Sequence, residues 1–282
     1  MKSKPVLISI ALIAQRLQAA PAVLNSLINQ DMPASEIHVF ASNQPYLHDN
    51  GIRNEHFPAE VQAMQDNGFI NIHFTANIGP YRKLLPILQE RWSEDCLIIT
   101  ADDDTIYPSD FVANLVNKHR AFPDSIITNR ARYMTCRREG LSPYRSWPVC
   151  PAEIKLCTLG HSDKKCHWFP TGKDGVLYRP HFFTDRIFDR AFLSLAPYND
   201  DVWFKFMSLR KSVYVVLADQ YDDQKFIEMP KNGRARLWDT NSDSTFHLNN
   251  DKQIENVISY CETIGEPVWF SNYVRMDCSP RD

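Results

Sequence analysis

Apolar positions along the chain fall into two periods that alternate. VLISIALI (6–13), EIHVFAS (36–42), INIHF (70–74), CLIITA (96–101) and SIIT (125–128) are short runs rich in Ile, Val, Leu and Phe, read here as five strands, the most apolar of them of the kind covered on both faces. Helical patterns lie between them. Pro21 opens one, with Val23, Leu24, Leu27 and Ile28 on a single stripe. A polar helix around 58–67 closes on Asn67-Gly68, a C-cap signal, and two more are expected over Pro80–Trp92 and Ser109–His119. This alternation predicts an α/β fold, a mostly parallel sheet with helices on both faces. The second half is less regular. Residues 139–175 are rich in Pro, Cys, Gly, His and Lys and read as an ordered loop insert. A helix is expected over 200–210, a strand at VYVVLA (213–218) and a terminal helix at 251–264, with 219–250 polar, aperiodic and mobile.

Composition narrows the classes. The chain has 282 residues, 44% of them apolar, enough for a full core in one domain. Lys and Arg number 31 against 34 Asp and Glu, a net −3, where a nucleic-acid binder would show a basic excess. The nine glycines form neither GxGxxG nor GxxxxGK[ST], so dinucleotide and Walker signatures are missing. The longest apolar run, Val6–Ala14, is shorter than the roughly 20 residues a membrane span needs, and no signal-peptide cleavage pattern follows it. Seven scattered cysteines point to a reduced, cytoplasmic setting, with at most peripheral contact at the inner face of a membrane.

The strongest chemical signal is ITADDDTIYP (99–108), where Asp102, Asp103 and Asp104 directly follow the fourth strand. Three adjacent carboxylates repel and call for a cation. Ligands of open α/β sheets bind beyond the strands' carboxyl ends, where these acids fall. Mn²⁺ or Mg²⁺ with substrate diphosphate suits such a donor set; the plainer alternative is a solvated turn capping the next helix, a task Ser109 could do alone. In NIGPYRKLLP (77–86), Asn77 and Gly79 lie at a strand exit with Arg82 and Lys83 in a first helical turn, a site suited to pyrophosphate. Asp200 or Asn199 is the expected N-cap of VWFKFMSL. GKDG, with Gly172 and Gly175, is either a close approach to a sugar or a plain hairpin turn. Cys150, Cys157, His161, Cys166 and His167 could hold zinc but lack paired CxxC spacing. Arg130, Arg132, Arg137 and Arg138 face an anionic acceptor or lipid headgroup, or form a solvated patch.

ISIALIAQR, NIGPYRKLLPIL, the strand-to-DxD junction, GKDGVLYRP and PYNDDVWF occur in this order, and together they resemble the GT-A glycosyltransferases, in particular bacterial family 2-like enzymes, over most of residues 5–218. The resemblance implies one GT-A domain, a nucleotide-sugar half over about 1–130 and an acceptor half with a C-terminal lid over about 131–282. It implies transfer from a nucleoside diphosphate sugar, UDP by preference, to a hydroxyl of a glycan or lipid-linked acceptor in surface polysaccharide or lipopolysaccharide synthesis. Asp102 and Asp104 would hold the metal, joined by His247, while Asp102, Asp103, Lys83, Asn77 and Gly175 would touch the donor. Ser9, Ala11, Arg16 and Ser42 would lie near the nucleotide base, although FASNQP lacks the usual acid after strand two. Asp201 matches the catalytic base of inverting members, with Asp200 in contention because the pair is Asp-Asp rather than Glu-Asp; Trp238 would belong to a lid. Competing readings are a retaining GT-A transferase, a sugar-nucleotide pyrophosphorylase (disfavoured because residues 9–20 contain no glycine) and a non-catalytic sugar-binding module.

Overall fold

The computed structural model describes residues 4–137, 140–150, 167–219, 222–229, 237–243 and 245–265. Seven strands form the main sheet: β1 (Val6–Ala11), β2 (Glu36–Ala41), β3 (Asn71–Phe74), β4 (Leu97–Ala101), β5 (Ser125–Thr128), β6 (Val176–Tyr178) and β7 (Tyr214–Leu217). Their spatial order is β7-β5-β6-β4-β1-β2-β3. β1 pairs in parallel with β2 and β4, β2 with β3, and β5 with β7. β6 alone is reversed, wedged antiparallel between β4 and β5.

Side-chain alternation sends each strand's residues to two separate cores. Leu7, Ile98, Ile126, Val176, Tyr178 and Val215 face one apolar cluster, closed by the helices Leu85–Glu90, Asp200–Leu209 and Asn250–Thr263. Ile8, Ile10, Ile99, Ile127 and Leu177 face the other, closed by Ala20–Ile28, Ala59–Asp66 and Phe111–Ala121. Both faces are therefore covered, and for that reason β1 and β4 read as unbroken apolar runs. The expected stripe on Ala20–Ile28 is the packed one: Val23, Leu24 and Leu27 are fully buried, each worth about 1.5–3 kcal/mol.

Three elements differ from the sequence reading. The helix expected over Pro80–Trp92 is a 3₁₀ segment, Gly79–Lys83, followed by an α-helix that starts at Leu85. Pro86 has no N–H and its ring excludes a preceding turn, so the α-helix restarts with it in the first turn. The helix Phe111–Ala121 is capped neither by the acid cluster nor by Ser109, whose hydroxyl donates to Asp31. Gln30 takes that role from another helix's end, accepting from Val112 N at 3.0 Å. The insert and the polar late region contribute sheet: Val149–Cys150, Ala131–Tyr133 and Trp168–Pro170 form a small antiparallel sheet, and Ile227–Glu228 pairs with Thr105–Ile106. Among the described residues, no helix is long and apolar enough to cross a membrane.

Candidate active site

A cleft of about 440 Å³ opens at the carboxyl end of β4. The acid cluster borders it because the chain leaves β4 at Ala101 and turns at once into Asp102. Asp103 also borders the cleft but is locked: its carboxylate accepts from Ile13 N at 3.1 Å and from Arg16. Asp102 and Asp104 face outward, with 28% and 22% side-chain exposure against 5% for Asp103. The cluster thus presents its first and third carboxylates, the D-x-D pattern. Arg16 also reaches Asp104 at 3.3 Å.

Opposite stands the start of the helix Asp200–Leu209. Asn199 is its N-cap, accepting from Val202 N, which frees Asp200 from the capping task. Lys83 joins the two sides: its Nζ lies 3.2 Å from Asp102 Oδ1 and 3.2 Å from Asp200 Oδ2. Residues 83, 102 and 200, remote in sequence, meet on one ammonium. Burial opposes that charge, but Asp102, Asp200 and Asp201 outweigh it and hold Lys83 protonated well above the ordinary lysine value. Arg82, expected beside it at a helix start, is instead buried against Asp49 at 2.7 Å.

Asp201 accepts from Gly172 N through Oδ2 at 2.8 Å, while its Oδ1 is shielded from solvent and has no hydrogen-bond partner among the described residues. Burial, then repulsion from Asp200, pushes its carboxyl up to about 7 against the pull of Lys83. Asp200 is raised too, by burial, with Lys83 opposing. Gly172 is required here by close approach. A Cβ at this position would come within 3.0 Å of Asp201 Oδ1 and closer still to Lys83 Nζ.

Of the other expected residues, Ala11 and Arg16 line the cleft. Ser9 and Ser42 are fully buried in or at the end of their strands, and Ser42 accepts from Gln44 N. Asn77 supports a loop, donating to Gln44 O and Asp49 Oδ2. Gly175, at φ +92, packs against Phe111 beneath the sheet rather than on the cleft wall. His247 is exposed, lies edge-on to Phe246 and is not brought to the acid cluster. Cys150 is buried, and buried His167 donates from Nδ1 to Met134 O; Cys157, His161 and Cys166 lie outside the described residues, as does Arg138. Trp238 falls in the helix Leu237–Asn241, whose end residues line the cleft, but its side chain is outside what is described.

Sequence reasoning missed several contributors. Asp49, farther along after β2, is a buried acid not singled out from the sequence; it accepts from Ala14 N, Gly51 N, Asn77 and Arg82, and the Asp-Asn-Gly turn was its only visible signal. Asn250 receives the Asn199 amide at 2.7 Å, and Gln253 accepts from Tyr198 N, so the C-terminal helix braces the Asp200–Asp201 corner. Tyr144 and Thr171 also border the cleft, with no pattern to betray them.

The donor set suits a hard divalent cation: two partly exposed carboxylates at a strand end, with the third held by Ile13 N and Arg16. Among the described residues, no group of three or more His, Cys, Asp or Glu side chains is arranged to hold a metal. Ions of this type commonly take their remaining ligands from substrate and water.

No family model matches the chain, and no curated protein matches it. Solved structures that resemble it include a 4-diphosphocytidyl-2C-methyl-D-erythritol synthase, at 10% identity and TM-score 0.48, with 84% of this chain and 97% of that one covered. S. aureus TarS in complex with UDP matches at 11% identity and TM-score 0.43, over 77% of this chain and 58% of that one. A CMP:2-keto-3-deoxy-manno-octonic acid synthetase complexed with CTP matches at 12% and 0.43, over 76% and 89%.

Proposed function

We propose that the protein is an inverting glycosyltransferase of the GT-A kind, moving a sugar from a UDP-sugar to a hydroxyl of a glycan or lipid-linked acceptor on the cytoplasmic side of the membrane. One observation carries this reading: the acids that end β4 and the acid pair that begins the helix Asp200–Leu209 share Lys83 across a single cleft. A diphosphate entering between Asp102 and Asp200 would take the ammonium as its counter-charge. Lys83 then offsets the charge that grows on the leaving oxygen, in a site where burial strengthens that interaction. Arg16 keeps Asp103 and Asp104 in place.

Asp201 is the base. Its carboxylate accepts the proton of the acceptor hydroxyl as that oxygen bonds to the anomeric carbon and the bond from that carbon to the diphosphate breaks. A carboxyl near 7 is well matched to taking a proton at neutral pH. One base and one displacement invert the anomeric centre. Mn²⁺ or Mg²⁺, held by Asp102 and Asp104, would add Lewis-acid charge at the diphosphate when bound.

The test is UDP release with a panel of UDP-sugars, on wild type, Asp201→Asn and Asp200→Asn. Asp201→Asn is expected to lose about 10²–10⁴ in turnover with UDP-sugar affinity held. Full activity of Asp201→Asn beside an inactive Asp200→Asn would move the base to Asp200. Retained activity in both would sink the inverting mechanism.

A further inference from the structure

The cations of the cleft are unequally committed. Arg16 is spent on Asp103 and Asp104, Lys83 on Asp102 and Asp200, and Lys173 on Glu228. Arg132 is buried, donating to Trp147 O at 2.8 Å and lying 4.9 Å from the centre of the Tyr144 ring. Arg130 differs. It lines the cleft half-buried, and among the described residues its side chain is held only by Thr171, to whose Oγ1 it donates at 3.1 Å. No described carboxylate pairs with it.

Its position relates it to the base. Thr171 N donates to Arg130 O, and the next residue, Gly172, donates to Asp201. The Arg130 guanidinium and the Asp201 carboxylate therefore hang from consecutive residues of one wall. Tyr144, buried beside them, feels both: burial pushes its hydroxyl up to about 12, with Arg132 and Arg130 opposing and Asp201 adding to the shift. Arg130 follows β5, which is separated from β4 by β6. It thus leaves a different strand from Asp102, which together with Lys83 is assigned to the diphosphate.

A partly buried guanidinium with most of its five donors uncommitted is a planar fork matched to an oxyanion. We propose that Arg130 reads a carboxylate or phosphate on the acceptor, close to the hydroxyl that Asp201 deprotonates, so that the acceptor is an anionic sugar or a sugar phosphate rather than a neutral glycan. This rests on the glycosyl-transfer reading of the same cleft. Thr171 holds the guanidinium through Oγ1, and Arg132 lies against the Tyr144 ring on the same cleft.

The experiment measures binding, not turnover, so that it does not depend on knowing the donor sugar. The full chain, saturated with UDP and Mg²⁺, is titrated by NMR with glucose, glucuronate and glucose 6-phosphate. Glucuronate or glucose 6-phosphate is expected to bind about tenfold to a hundredfold tighter than glucose, the range of a hydrogen bond to a charged group. The preferred probe tells a carboxylate acceptor from a phosphate one. Arg130→Gln should erase the preference and leave UDP affinity unchanged, and Arg130→Lys should restore part of it. Equal affinity for glucose and both anions in the wild type overturns the proposal, whatever the variants do, as does an absence of binding by all three probes. A preference that survives Arg130→Gln overturns it too, and a loss confined to UDP affinity would assign Arg130 to the donor. Failure of the wild type to bind UDP at all is a different result: it removes the glycosyl-transfer reading itself.

Discussion

At Asp201 two effects of the local fold oppose each other. The residue opens a helix, whose N-terminal dipole favours the carboxylate, yet burial and the neighbouring Asp200 push its carboxyl up to about 7. Burial wins because Oδ1 is shielded from solvent and no described group donates to it. Rate should therefore rise with pH and level off above about 7, since the acting form is deprotonated; a kcat/KM profile flat from pH 5 to 8 would contradict this. Stability should move the other way. The folded protein binds this proton more tightly than the unfolded chain, whose aspartate titrates near 3.9, so the stabilisation from protonation is present at low pH and is lost as pH rises through about 7. The Tm of the wild type relative to Asp201→Asn should fall between pH 5 and 8, read by calorimetry. Gly172 gives a second test at this scale. In Gly172→Ala the methyl group displaces the Lys83 ammonium, the movable end of a flexible side chain, from its two ion pairs. Tm should change by no more than a few degrees, about 1 kcal/mol for a protein of this size, while turnover falls at least about tenfold.

Among elements, the turn before β6 is the most exacting. Asp174 and Gly175 both have positive φ, +69 and +92, and a Cβ on Gly175 would lie 2.6 Å from Phe111 Cζ. Gly175→Ala should cost about 1–3 kcal/mol through overpacking alone, with further backbone strain, measurable as a lower urea midpoint at unchanged m-value. Elements of this kind mark the limit of what was legible beforehand. β1, β4 and β5 announced themselves as apolar runs, and the stripe from Val23 to Leu27 as a packed helix face, because burial on a fixed period leaves its trace locally. β6 is only three residues, and nothing in VLY reveals that it runs backwards between two parallel strands. In the same way Lys83, Asp102 and Asp201 stood out in the sequence as candidates. Their arrangement did not, since the burial of Arg82 against Asp49 and the meeting of Lys83 with Asp102 and Asp200 are set by contacts between distant segments.

On the scale of the whole molecule, β6 ties the two halves together. Without it, β4 and β5 would each show an unpaired edge to solvent, a template for wrong pairing. A fragment ending near residue 130 would keep five of the seven strands yet should not fold stably. Cooperative unfolding and retained UDP binding by such a fragment would refute this. The same reversed strand has a consequence for the chain while it is being made. Ala101 leaves the ribosome 75 residues ahead of Val176, a lag of about 4–15 s at ordinary elongation rates. Throughout that interval the completed, apolar β4 has β1 on one side and nothing on the other. Yield in cells should then depend on how fast residues 102–175 are translated and on chaperones that shield an open edge, so synonymous codon changes confined to that stretch can alter how much active protein accumulates without altering the protein.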